Sequence, residues 1–118
     1  MISFPANTEI FVCHKPVSFG CGIDGMLRYC RIILKKEPLS QAYFMFLNKG
    51  RQQIRILWYD GQGFALCTKR NSQGCFRYWP KNREEIQSTF LFFQAQILFS
   101  GGDFKAVKSK KIWKKITN

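Results

Sequence analysis

Lysine and arginine are the residues of this chain whose number and spacing could do chemistry. Arg28 and Arg31 lie three positions apart, Lys49 and Arg51 flank a glycine, and Lys69 and Arg70 are adjacent. Arg55 and Arg77 stand inside apolar runs, while Lys108, Lys110, Lys111 and Lys114 crowd the end of the chain around Trp113. Ammonium and guanidinium groups spread over a surface neutralise phosphate oxygens, so these twelve positions are the candidate nucleic-acid-binding residues. Metal-assisted strand transfer would instead need several carboxylates converging on ions about 3.5–4 Å apart. The aspartates are Asp24, Asp60 and Asp103, and the first two precede glycine, which assigns them to a helix cap and a turn. His14 is the sole histidine, and on a strand it would point away from Cys13, which argues against a Cys–His dyad. The cysteines contain no Cys-x-x-Cys, and only Cys13, His14 and Cys21 lie close together, short of the paired spacing of a zinc site. Reduced thiols, no metal, no cofactor and no catalytic residue are the expectation.

The charge balance says which partner the cations suit. Lys plus Arg number 19 against 7 Asp plus Glu, a formal net charge of +12. Solubility alone asks for a net charge of only about 2–8 in a small domain, so the excess points to a polyanion, DNA above all. With 118 residues and 46% hydrophobic content, the chain can form one packed domain. Twelve Phe in so small a core imply that some rings lie at the surface. No apolar run reaches the ~18 residues of a membrane span, since Gln94 and Gln96 interrupt Phe90–Phe99. Met1–Glu9 has neither a basic flank nor an apolar stretch, so a cytoplasmic location without membrane contact is expected.

These side chains need elements to position them. Ile10–Cys13 reads as a short strand, followed by a Pro- and Gly-bearing loop from Lys15 to Gly22. Asp24 is the expected N-cap of a helix with Leu27, Cys30, Ile33 and Leu34 on its apolar stripe; Arg28, Arg31 and Lys35 form a neighbouring basic face. That helix should end before Pro38. Tyr43–Leu47, Ile54–Tyr59, Phe64–Arg70 and Phe76–Trp79 read as strands, joined at Asn48-Lys49-Gly50, Asp60-Gly61 and Asn71–Gly74. Glu84–Phe99 reads as a second helix, capped by Ser88 or Thr89 and ended by Gly101-Gly102. The order predicts an α+β fold: a single small domain over 1–104, an antiparallel meander of four to five strands with two helices packed on one face. Trp58 and Trp79 are expected in the core, Tyr59 or Tyr78 at the surface, and, if Ile54, Ile56 and Trp58 face the helices, Arg55 outward beside Leu57 and Tyr59. Residues 105–118 are expected to form a basic C-terminal tail, either a phosphate-binding arm or a solvated end, with Trp113 partly docked.

The middle of the chain carries more specific words. Ile54-Arg55-Ile56-Leu57-Trp58-Tyr59-Asp60-Gly61-Gln62-Gly63-Phe64 precedes Lys69-Arg70 and then Gly74-Cys75-Phe76-Arg77-Tyr78-Trp79-Pro80. This block resembles the central signature of the TnpB (second open reading frame) accessory proteins of the insertion-sequence-sixty-six family. Ile23-Asp24-Gly25-Met26, Tyr43–Lys49 and Gln96–Asp103 are similar to that family's helix start, preceding strand and closing segment. The likeness covers about positions 3 to 104. It implies a protein made beside a separate, larger transposase and needed for movement of the element, with DNA at the element's ends and the transposase as partners. One departure stands out: the family's Met-Arg-Lys-like triplet before Ile23 is replaced by Phe19-Gly20-Cys21, leaving Lys15 and Arg28 as the nearest substitutes.

The leading reading is a non-catalytic DNA-binding accessory factor. A protein adaptor whose exposed aromatics dock on the transposase is the alternative. A small basic ribonuclease toxin is a weaker one, because its cations would have to converge on one scissile phosphate.

Overall fold

The computed structural model describes residues 8–81 and 85–103. Its elements run β1 (Ile10–Cys13), α1 (Gly22–Ile32), β2 (Tyr43–Leu47), β3 (Gln53–Tyr59), β4 (Phe64–Arg70), β5 (Gln87–Phe90) and α2 (Phe92–Phe99). The result is an α+β domain with one five-stranded sheet in the order β4-β3-β2-β1-β5. Local turn chemistry builds half of it. Asp60 Oδ1 accepts the N–H groups of Gln62 and Gly63 at 2.9 Å, and Gly61 turns with φ 99°, closing the β3–β4 hairpin. Those backbone N–H groups, Gln62 first, also hold the Asp60 carboxyl below its usual range. At the β2–β3 turn Asn48 Oδ1 accepts from both Gln52 and Gln53 at 3.0 Å.

The expected all-antiparallel meander is corrected to a mixed sheet. β2, β3 and β4 are antiparallel neighbours, but β1 pairs with β2 in parallel and with β5 in antiparallel register. A parallel pair needs a crossover long enough to return the chain, and the segment 14–42 containing α1 supplies it. Two further expectations change with it. The segment 84–99 is not one helix: Gln87-Ser88-Thr89-Phe90 pairs with β1, so Ser88 and Thr89 are strand residues and not caps. An otherwise open edge of β1 offers those residues a full hydrogen-bond ladder, which outweighs weak helix propensity. α2 begins after Leu91, whose N–H donates to Gln94 Oε1 at 2.9 Å. Phe76–Trp79 is not a strand either; it is irregular and drops Phe76 and Trp79 into the core, each 3% exposed, while Arg77 and Tyr78 face out. Trp79 is anchored by its indole N–H, which donates to the Cys13 carbonyl at 2.8 Å.

The helices pack on opposite faces of the sheet, not on one. Ile10, Val12, Met45, Leu47, Ile54 and Ile56 face α2 together with Phe76 and Trp79. Phe11, Cys13, Phe44, Phe46 and Leu57 face Met26, Cys30 and Leu34 of the α1 side. β1 and the last four residues of β2 are buried, the pattern of strands covered on both sides. Because α1 covers that second face, Leu57 is fully buried and Arg55 does not look onto open solvent as expected. α1 is capped at Cys21, and Asp24 sits in the first turn, where its charge suits the helix dipole without capping. Gly25 is required there, since a Cβ would overlap the Cys21 side chain. Trp58 is half-buried and stacks on Tyr43 at 5.2 Å. No helix among the described residues is long and apolar enough to cross a membrane.

Candidate nucleic-acid interface and the adjoining cleft

The C-terminal ends of β1, β2 and β4 and the N-terminal ends of β3 and β5 lie at one end of the sheet. Cations collect there. Gln53 pairs with Arg70, the Asn71 N–H donates to the Gln52 carbonyl at 2.7 Å, and the Phe76 N–H donates to the Arg51 carbonyl at 2.8 Å. Four expected site residues, Lys49, Arg51, Arg70 and Arg77, are thereby gathered at one corner, all exposed except the half-buried Arg51.

Beside this corner lies a cleft of about 700 Å³. Lys15 follows β1, Lys35 follows α1, Arg51 belongs to the β2–β3 turn and Lys81 precedes β5; all four line it, with Glu85 as the acidic member. Its apolar lining is Pro16, Ile32, Ile33, Pro80 and Ile86. His14 also lines it, 9% exposed, with Nε2 2.5 Å from Ser88 Oγ. Arg51 has φ 63°, held by its own N–H to the Asn48 carbonyl at 2.9 Å. Lys35 has φ 54°, held where the Lys36 N–H closes onto the Cys30 carbonyl at 2.9 Å.

Two expected site residues have internal work. Lys69 Nζ donates to the Phe99 carbonyl at 2.8 Å and lies 5.2 Å from the Phe99 ring centre, at the C-terminus of α2 where a cation suits the dipole. Arg55 donates through Nε to Thr68 Oγ1 at 3.0 Å and through a terminal nitrogen to the Phe19 carbonyl at 3.2 Å, with its guanidinium 4.5 Å from the Phe19 ring centre. The departure Phe19-Gly20-Cys21 therefore has a structural use: Phe19 clasps Arg55, and Cys21 starts α1. Arg28 and Arg31 are exposed on α1, and Arg31 sits 3.7 Å from Glu37 in a pair more than half exposed on both sides, so weakly coupled. Lys108, Lys110, Lys111 and Lys114 lie outside the described residues.

Sequence reasoning did not assign Lys81 or the cleft. Lys15 and Lys35 appeared only as substitutes or helix-face charges. A usable signal existed: Lys35 and Lys81 follow directly on an apolar run and a proline, and Lys15 lies two residues past Ile10–Cys13, where the chain leaves the core. Buried Cys30 is part of the core and not of this site; burial, and secondarily Cys13 beside it, pushes its thiol up to about 12. Among the described residues no group of three or more His, Cys, Asp and Glu side chains is placed to share a metal ion.

The chain resembles two proteins of Sinorhizobium fredii, both described as uncharacterized. It is 29% identical to y4hO over 80 residues, covering 68% of this chain and 69% of that one. It is 28% identical to y4jC over 112 residues, covering 95% and 94%. No solved structure matches. The family model described as IS66 Orf2 like protein matches residues 8–109, which spans the whole sheet, both helices and the cationic end. The chain belongs to the IS66 Orf2-like family and is an accessory protein of an insertion sequence.

Proposed function

We propose that this protein is a non-catalytic accessory factor in transposition that holds DNA through the cationic corner of its sheet, beside the transposase of the same element. The observation that carries the reading is the convergence of Lys49, Arg51, Arg70 and Arg77 from three separate segments onto one exposed corner. Cations arranged by the fold on an exposed corner suit phosphate contact with little sequence preference. Arg28 and Arg31 of α1 and the lysines of 105–118 extend the same electrostatic attraction. Contact with about 4–6 phosphates gives a log–log salt slope near −4 to −5 on duplex DNA. The test is a salt titration of duplex binding by the wild type and by a Lys49→Gln, Arg70→Gln, Arg77→Gln variant. The variant should lose about 0.9 of slope for each lost contact. Unchanged affinity and slope in that variant would sink the reading.

A further inference from the structure

We propose that the cleft beside the corner binds a short acidic segment of a partner protein through one or two large apolar side chains flanked by carboxylates. This deepens the accessory-factor reading by naming the protein partner's chemistry, and it does not depend on where DNA binds. The apolar half of the argument rests on Ile32 and Ile86, which are 65% and 52% exposed and face the same concavity from the end of α1 and the approach to β5. One exposed isoleucine means little, but two across a cleft floored by Pro16 and Pro80 make a seat for an apolar anchor. The volume, about 700 Å³, falls within the range of pockets that enclose a ligand.

Charge selects the occupant. Lys15, Lys35, Arg51 and Lys81 outnumber the single Glu85 around the rim, and none of the four forms a salt bridge among the described residues. Arg55 and Lys69, by contrast, are already engaged inside the fold. A partner segment rich in Asp and Glu supplies the missing counter-charge. Nucleic acid fits this cleft less well. Among the described residues the sole aromatic ring lining it is the His14 imidazole, only 9% exposed, and no Asn, Gln, Ser or Thr side chain lines it to read a base edge. Glu85 repels any anion, but a peptide, unlike a phosphate backbone, also offers N–H groups that can donate to it.

The test is fluorescence anisotropy with the full chain and a labelled peptide of about eight residues, ~26 Å when extended. The probe carries Leu-Leu at its centre and Asp or Glu elsewhere; a matched peptide carries Ala-Ala. Saturable binding of the Leu peptide is expected, weakened about tenfold by the Ala-Ala replacement and by Ile32→Ser with Ile86→Ser. Both isoleucines are largely exposed, so the variant should keep its thermal midpoint, and Ile32→Val with Ile86→Val should restore binding. Lys15→Gln with Lys81→Gln should weaken the peptide and flatten its salt dependence. No saturable binding, or equal binding of the Ala-Ala peptide, overturns the proposal. Single-stranded oligothymidylate binding that the Ile→Ser pair abolishes also overturns it, by assigning the cleft to nucleic acid. The Lys49→Gln, Arg70→Gln, Arg77→Gln variant separates the two readings: it should bind the peptide as the wild type does, whatever becomes of its DNA binding.

Discussion

Lys35 and Arg51 come from different elements, yet both line one cleft and both hold left-handed backbone, with φ 54° and 63°. Among the described residues they are the two non-glycine positions with positive φ. Left-handed backbone costs a residue with a Cβ about 1–2 kcal/mol, and such strain gathers where geometry serves a ligand. Here the twist ends α1 at one site and turns β2 into β3 at the other, carrying a cation to the rim each time.

Replacing Lys35 by glycine should therefore separate stability from binding. Glycine adopts the same φ without penalty, so Lys35→Gly should raise stability by about 1 kcal/mol, a gain of roughly 3–6 °C in thermal midpoint. Affinity for the acidic peptide should fall in the same variant. A lowered midpoint would show that Lys35 is held by contacts worth more than the strain.

Phe19 and Arg55 should be energetically coupled. The guanidinium lies over the ring and donates to the carbonyl of the same residue. A double-mutant cycle of Phe19→Ala and Arg55→Ala, read by urea unfolding, should return a coupling of about 0.5–1 kcal/mol. Additive effects would mean that Phe19 holds nothing at that position.

Alkaline conditions should weaken the fold through its buried thiols. Burial pushes the Cys30 thiol up to about 12 and the Cys13 thiol up as well. An unfolded thiol titrates near 8.5–9, so between there and the folded value the native state binds more protons than the unfolded one. Stability from Cys30 is fully present below about pH 9 and is lost as pH climbs toward 12, at a rate approaching about 1.4 kcal/mol per pH unit, and Cys13 adds to the loss in the same direction. Cys30→Ala should flatten this decline between pH 9 and 11 while lowering stability at neutral pH; an unchanged slope would exclude Cys30 as its source.

Much of the fold was legible because its signals are local. Asp60-Gly61 and Asn48 set two turns through bonds to residues a few positions away, so β2, β3 and β4 could be read in order. The family block from Ile54 to Pro80 lies across the same stretch, and the family membership read from it stands. Helix was read correctly over Phe92–Phe99 but extended too far toward the N-terminus: Gln87–Phe90 has no strong preference of its own, and the free edge of β1 decided for strand. Trp79 announced burial correctly, but nothing local foretold the irregular backbone that delivers it and Phe76 to the core.

By itself the sequence determined composition, charge, turn positions, the alternation of buried side chains and the family. Those depend on residue type and on spacings of a few positions, which the chain carries wherever it goes. Only the tertiary structure decided that β1 lies parallel to β2, that α1 and α2 take opposite faces, and that Lys15, Lys35, Arg51 and Lys81 share one cleft. An alternating strand states that it has two faces but not which helix covers each, because that depends on pairings between distant segments. Likewise a lysine's charge is written in the chain, whereas its neighbours are set by the order in which the strands close.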